Sequence, residues 1–278
     1  HVGPTAATWG VERAPVEDAR ADVILVVDAS NSMLVEDVAP NRLEIEREAV
    51  RALLGSLRGA RVGLVVFAGQ GYVVSPLTSD FGALELYVDA LGPDVITQGG
   101  SSLSDAVRQG LTLLLGGGRE DAGGSLVVIT DGDALEERDE VLRAAVQARR
   151  AGVPVHALGI GAPQGGRVPD VDFASGRRLG WKTEPDGTPA VSRLGEPLLR
   201  DLANRTGGTY RRVASARDAA GLQGGFALSG GGGGAGRGGG GTGPGNRYEW
   251  FVAAALLLLV LDSVVAARQG RRAMEGGR

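Results

Sequence analysis

The stretch Ala21-Asp22-Val23-Ile24-Leu25-Val26-Val27-Asp28-Ala29-Ser30-Asn31-Ser32 decides how this chain is read. Its first half is apolar at successive positions and rich in valine and isoleucine. That is how a strand covered on both faces reads. Its second half sets oxygen side chains at Asp28, Ser30 and Ser32, every other residue, where the apolar run stops. Oxygens so placed make either a turn or one edge of a metal site. The choice falls to the rest of the chain.

Three further apolar runs, at 62–67, 126–129 and 153–160, have the same non-alternating character. Helical patterns lie between them. Asn41-Arg42-Leu43-Glu44 has the form of a capping box, and Leu43, Val50, Leu53, Leu54 and Leu57 then fall on one face. Residues 80–91, 102–115 and 135–150 read as helices, the last with Asp133 and Glu136 as its box. A helix over 194–206 stops at Gly207-Gly208. Strand and helix alternating at this spacing predict an α/β fold: a doubly wound, mostly parallel sheet with helices on both faces. Residues 163–193, with Gly, Pro and Asp scattered through, read as an irregular excursion or hairpin near the last strands.

The chain has 278 residues, 43% of them hydrophobic, enough for one large domain or two small ones. Its net charge of −4 carries no basic balance of the kind nucleic-acid binding wants. No cysteine is present, so disulfides, thiolate metal sites and a cysteine nucleophile are excluded. With His1 and His156 as the only histidines, a His-based zinc site or a Ser-His-Asp triad has almost nothing to work with. The chain opens on His1, which implies that processing or design has removed its true start.

The carboxyl-terminal part has a different character. Residues 250–267 form an apolar run of 18 residues whose one charge is Asp262. As a helix it would be about 27 Å long, close to the thickness of a bilayer core. Tyr248 and Trp250 stand at one end, as an interfacial belt would; Arg268, Arg271 and Arg272 follow at the other. Asp262 either reaches the headgroups or pairs with a polar group in a partner's membrane helix. Ahead of the run, 12 of the 17 residues 229–245 are glycine, the composition of a flexible tether with a reach of roughly 20–25 Å. Four arginines follow the span (Arg268, Arg271, Arg272, Arg278), against Arg237 and Arg247 before it, so the soluble domain is expected outside the cytoplasm.

In an open parallel sheet, ligands bind beyond the carboxyl ends of the strands, where strand order reverses. Asp28 ends the first run. Asp131 follows Ser125-Leu126-Val127-Val128-Ile129-Thr130. If those strands are neighbours, both carboxylates meet. Ser30 and Ser32 share the loop of Asp28, and residues 98–106 (QGGSSLSDA) offer hydroxyls on a glycine-rich backbone. These are hard oxygen donors, suited to Mg²⁺, Mn²⁺ or Ca²⁺ rather than zinc or copper. Water or a partner's carboxylate would complete the shell. Lesser features have plain readings: 158–165 as a turn, Asp133 as a helix cap in preference to a second ion ligand, and His156 as a core residue.

Asp28-x-Ser30-x-Ser32 after a buried strand resembles the metal-ion-dependent adhesion site of von Willebrand factor A domains. That family adds a Thr from another, glycine-containing loop and an Asp after a later strand. Asp131, in Thr130-Asp131-Gly132, matches the Asp; Ser101 stands at the Thr position, with Ala106 five residues on, as in the family's pattern. The resemblance therefore implies metal ligation by Asp28, Ser30, Ser32, Ser101 and Asp131. The segments SNSMLVEDVAPNRLEIEREA (30–49), SRLGEPLLRDLANRTGGTYRR (192–212) and RYEWFVAAALLLLVLD (247–262) further resemble bacterial Bat-type, aerotolerance-associated membrane proteins. On that pattern residues 1–19 are a juxtamembrane segment, 20–222 the A domain, 223–247 the glycine-rich linker, 248–268 a transmembrane helix and 269–278 a basic cytoplasmic tail. The resemblance implies a protein-interaction module in the bacterial inner membrane, its A domain periplasmic. The implied partners are a second A-domain membrane protein, other Bat components and a MoxR-type AAA+ ATPase. A rival reading is a Mg²⁺-dependent phosphatase-like hydrolase. That chemistry wants a second Asp two residues after the first, and Ser30 stands there.

Overall fold

The computed structural model describes residues 22–57, 59–93, 102–117, 123–133, 136–172, 175 and 177–222. In chain order the elements are β1 (Asp22–Asp28), α1 (Arg42–Ser56), β2 (Arg61–Phe67), β3 (Gly71–Thr78), α2 (Phe81–Asp89), α3 (Leu103–Gly117), β4 (Gly124–Thr130), α4 (Arg138–Arg150) and β5 (Val155–Ile160). The excursion follows with β6 (Gly166–Arg167), β7 (Pro169–Asp172), β8 (Arg177–Trp181) and β9 (Val191–Ser192). The chain then closes on α5 (Glu196–Thr206), β10 (Tyr210–Val213) and α6 (Ala216–Ala220).

The main sheet runs β10-β5-β4-β1-β2-β3, parallel except where β3 pairs antiparallel with β2. β1 is buried along its whole length, as its unbroken apolar run requires. Its side chains alternate between two cores. Val23, Leu25 and Val27 pack with α1, α2 and α6, while Ile24 and Val26 pack with α3, α4 and α5. Strand order reverses between β1 and β4, so the expected switch point lies at their carboxyl ends.

Two boundaries differ from expectation for local reasons. Asn41 caps α1 by accepting from the Glu44 N–H at 2.9 Å, but the Glu44 carboxylate pairs forward with Arg47, so only half of the box forms. α4 begins at Arg138 behind Glu137, which makes no side-chain cap; Asp133 and Glu136 are not its box. At the end of α5, Gly207 takes a left-handed φ of 80° and stops the helix as expected. The excursion is ordered into two small antiparallel pairs, β6 with β9 and β7 with β8. His156 is buried and joined to Thr209, and 158–165 is the end of β5 and a turn, with no helix after it. Among the described residues no helix is long and apolar enough to cross a membrane. The expected tether and the expected span at 248–268 lie outside those residues.

Candidate metal centre

At the switch point the sheet brings Asp28, Ser30, Ser32 and Asp131 together. Asp28 is fully buried. Its Oδ1 accepts from the Ser30 N–H at 2.8 Å and its Oδ2 from the Thr130 hydroxyl at 2.5 Å. Thr130 ends the neighbouring strand, and its oxygen accepts in turn from the Gly132 N–H at 3.0 Å. The Ser30 and Ser32 hydroxyls lie 2.9 Å apart on the first turn of a 3-10 helix over Asn31–Leu34. The Ser32 hydroxyl lies close enough to Asp131 to draw its pKa down, so the first loop meets the second. Ser101, the expected third-loop ligand, lies outside the described residues. Its neighbour Ser102 is anchored by its N–H to the Ala68 carbonyl at 2.9 Å. Glu136 accepts from the Ser104 N–H at 2.7 Å, so the carboxylate expected to cap α4 caps α3 instead and fixes the end of the third loop.

Two groups on α1 that the sequence reading missed complete the centre. Arg42, wholly buried on the first turn of α1, forks onto Asp37 at 2.9 and 2.7 Å and reaches Asp131 Oδ2 at 2.6 Å. It also donates to the Ser192 hydroxyl at 2.7 Å and carbonyl at 3.1 Å. Glu46, one turn further along α1 and equally buried, accepts the Asp28 N–H at 3.0 Å through Oε1. Its Oε2 has no hydrogen-bond partner among the described residues. A signal was present: Arg42 and Glu46 stand four apart on the stripe that continues as Val50 and Leu53, two charges where the helix otherwise buries hydrocarbon.

The electrostatics follow from burial. Asp28 is pushed up to about 7, first because it is cut off from water and then because Asp131 adds a like charge; the bonds from Ser30 and Thr130 pull back. Glu46 is raised well above the carboxylate range by burial and by Asp28. Burial also raises Asp131, against the pull of Arg42. Two carboxylates, Asp37 and Asp131, thus share the Arg42 guanidinium, while buried Asp28 and Glu46 lie beside each other without one. Buried carboxylates in that excess are neutralised by protons, or by a cation that takes the protons' place. The described residues hold no cluster of three or more His, Cys, Asp or Glu side chains fit for a metal by themselves. An ion here would lean on hydroxyls and water as much as on carboxylate, as hard divalent cations do.

A model of the von Willebrand factor type A domain matches residues 23–133, the segment from β1 through the Asp131 loop. A solved aerotolerance-related membrane protein from Bacteroides fragilis, carrying multiple mutations to serines, is 30% identical; the match covers 73% of this chain and 94% of that one, with a TM-score of 0.64. The chain belongs to the von Willebrand factor type A family. BatB from Bacteroides thetaiotaomicron is similar at 28% identity and a TM-score of 0.63, over 73% of this chain and 98% of that one. The UPF0353 protein of Nocardia farcinica is 27% identical over 231 residues, 78% of this chain and 63% of its own length. That of Mycolicibacterium vanbaalenii is 32% identical over 154 residues, 52% of this chain and 46% of its own. The chain thus spans about half to two-thirds of the length of these curated relatives. The family match ends at Asp133, so the excursion lies beyond the part of the von Willebrand A domain that the model covers.

Proposed function

We propose that this chain is a membrane-anchored protein-interaction module that holds a divalent cation, Mg²⁺ or else Mn²⁺ or Ca²⁺, and presents it to a partner's carboxylate. One observation carries the reading: Asp28, Ser30, Ser32 and Asp131 converge at the strand switch point beside a buried Glu46 oxygen that lacks a partner among the described residues. The donor set fits a hard ion. Ser30 and Ser32 would ligate it directly, Asp28 and Asp131 would hold it directly or through water, and Ser101 would supply the third-loop hydroxyl. When bound, the ion offers an open position to an incoming carboxylate. Ser30, where a phosphatase would want a general acid, supports binding over hydrolysis.

The anchoring is proposed from the apolar run at 250–267 and from the likeness to the Bacteroides fragilis protein described as a membrane protein. The arginine asymmetry supports a periplasmic A domain. A second A-domain membrane protein, other Bat components and a MoxR-type ATPase are the candidate partners, by the Bat-type likeness.

Calorimetric titration tests the metal. The wild-type chain should bind Mn²⁺ and Mg²⁺. Asp28→Asn, which keeps the shape and the bond from Ser30, should not, while its far-UV spectrum stays unchanged. Equal affinity in the two proteins would remove the site.

A further inference from the structure

We propose that the excursion between β5 and α5, residues 163–193, is the second half of the partner-binding surface and receives a protein segment in which an acidic residue stands beside apolar ones. This rests on the cation-bridged reading above and says where the partner's neighbouring residues go.

The excursion is built onto the metal loop. The Ala162 N–H donates to Asp37 Oδ2 at 2.9 Å, and Arg42 donates to both oxygens of Ser192 while holding Asp131. A Cβ at Gly166 would lie 2.6 Å from the Val35 side chain, so the two segments touch. Arg178, on the hairpin, pairs with Glu36 at 3.5 Å. The excursion therefore packs against residues 35–37, the continuation of the loop that carries Ser30 and Ser32, with β8 reaching it through Arg178.

β8 offers what such a partner needs. Leu179 is 57% exposed, Trp181 40% and, on β9, Val191 43%. The Arg178 guanidinium lies 4.0 Å from the centre of the Trp181 ring. Tryptophan and arginine are the residues that most often dominate interface energies. An exposed tryptophan held by a stacked arginine is already partly ordered, which lowers the entropy lost on binding. The charge is complementary to the required ligand: Arg177-Arg178-Leu179-Gly180-Trp181-Lys182 has three cations and no carboxylate in six residues. Arg177 faces Asp172 across the hairpin and Arg178 is shared with Glu36. The Arg178–Glu36 pair stays in water, where such a pair is weak and easily exchanged for a partner's carboxylate.

The test uses the full chain in detergent and a displayed library of random peptides, bound in Mg²⁺ and eluted with chelator. The eluted peptides should share an Asp or Glu next to aromatic or aliphatic residues. Their affinity should fall about tenfold or more in Trp181→Ala, a loss of about 1.4 kcal/mol. It should also fall in Arg178→Glu, and vanish in Asp28→Asn. Peptides that need the metal yet bind Trp181→Ala and Arg178→Glu as tightly as wild type would overturn the excursion surface and leave the cation-bridged reading standing. Absence of any chelator-released peptide would overturn both. Self-association of the chain that Trp181→Ala abolishes, seen by sedimentation, would replace the proposed partner with a second copy.

Discussion

Replacing Arg42 by methionine isolates the ion pair at the heart of the centre. Methionine keeps much of the aliphatic volume, so the change is mainly one of charge and hydrogen bonds. The guanidinium makes five bonds, to both Asp37 oxygens, Asp131 Oδ2 and the Ser192 hydroxyl and carbonyl, all between 2.6 and 3.1 Å. Its side chain is 0% exposed, that of Asp37 2% and that of Asp131 1%. Without it, Asp37 keeps the Ala162 N–H, and Asp131 keeps the Asp133 N–H and the Ser192 hydroxyl. Neither keeps a counter-charge from Arg42. Removing one partner of a buried pair costs about 3–5 kcal/mol, because the other charge stays behind unpaired. With a urea slope of about 2 kcal/mol/M, the unfolding midpoint should fall by about 1.5–2.5 M. The assay is urea unfolding followed by far-UV circular dichroism in chelator, so that no ion takes the place of the guanidinium. Added Mn²⁺ should then stabilise Arg42→Met more than wild type, since the freed charge of Asp131 faces the cation site. A loss below about 1 kcal/mol would refute the buried pair. A full loss that Mn²⁺ does not lessen would refute the placing of Asp131 at the metal.

Two neighbouring glycines should behave differently. A Cβ at Gly208 would lie 2.0 Å from the Val155 carbonyl oxygen, so Gly208→Ala should yield no soluble folded protein; at Gly207, which has φ 80° and open space around it, Ala should fold with a thermal stability lower by about 1 kcal/mol. Burial holds His156 below its usual range, where Nδ1 accepts the Thr209 N–H. The unfolded chain therefore takes up a proton that the folded one refuses. The stability due to His156 is fully present above the unfolded value of 6.5 and is lost as pH falls below it, so acid unfolding of His156→Asn should show a shallower slope just under that pH. The orientation can be read with single cysteines, since the chain has none: in intact cells a membrane-impermeant thiol reagent should label Gln164→Cys, at an exposed position, and not Gly276→Cys, and the reverse would place the A domain in the cytoplasm.

What the sequence disclosed and what it withheld divide along a physical line. β1, β2, β4 and β5 were legible because a strand buried on both faces must be apolar at every position, and few other structures ask for that. Asp28, Ser30 and Ser32 were legible because their spacing and their place at a strand end point to the same site. β3 was missed: Gly71 and Pro76 break its pattern, which an edge strand tolerates because one side of its ladder is unpaired. β10 reads Tyr-Arg-Arg-Val and joins the sheet only at its other edge. The charged residues show the deeper reason. Glu136 has the look of a cap for the helix that follows it, and its carboxylate instead crosses to α3, 32 residues earlier in the chain at Ser104. Arg42 has the look of a solvated residue on a first turn, and it reaches Asp131, 89 residues away, and Ser192, 150 away. A carboxylate or guanidinium satisfies the same local pattern whether it faces water or a distant partner, so periodicity cannot say which. The difference is energetic: a buried charge is tolerated only where opposite charge or an ion meets it. Arg42 and Glu46, set on an otherwise apolar stripe, were therefore a legible demand for counter-charge with no stated source. The fold answers the first with Asp37 and Asp131. Around the second it gathers more carboxylate, and a cation beside Ser30 and Ser32 would take the place of the protons that burial otherwise draws to Glu46 and Asp28.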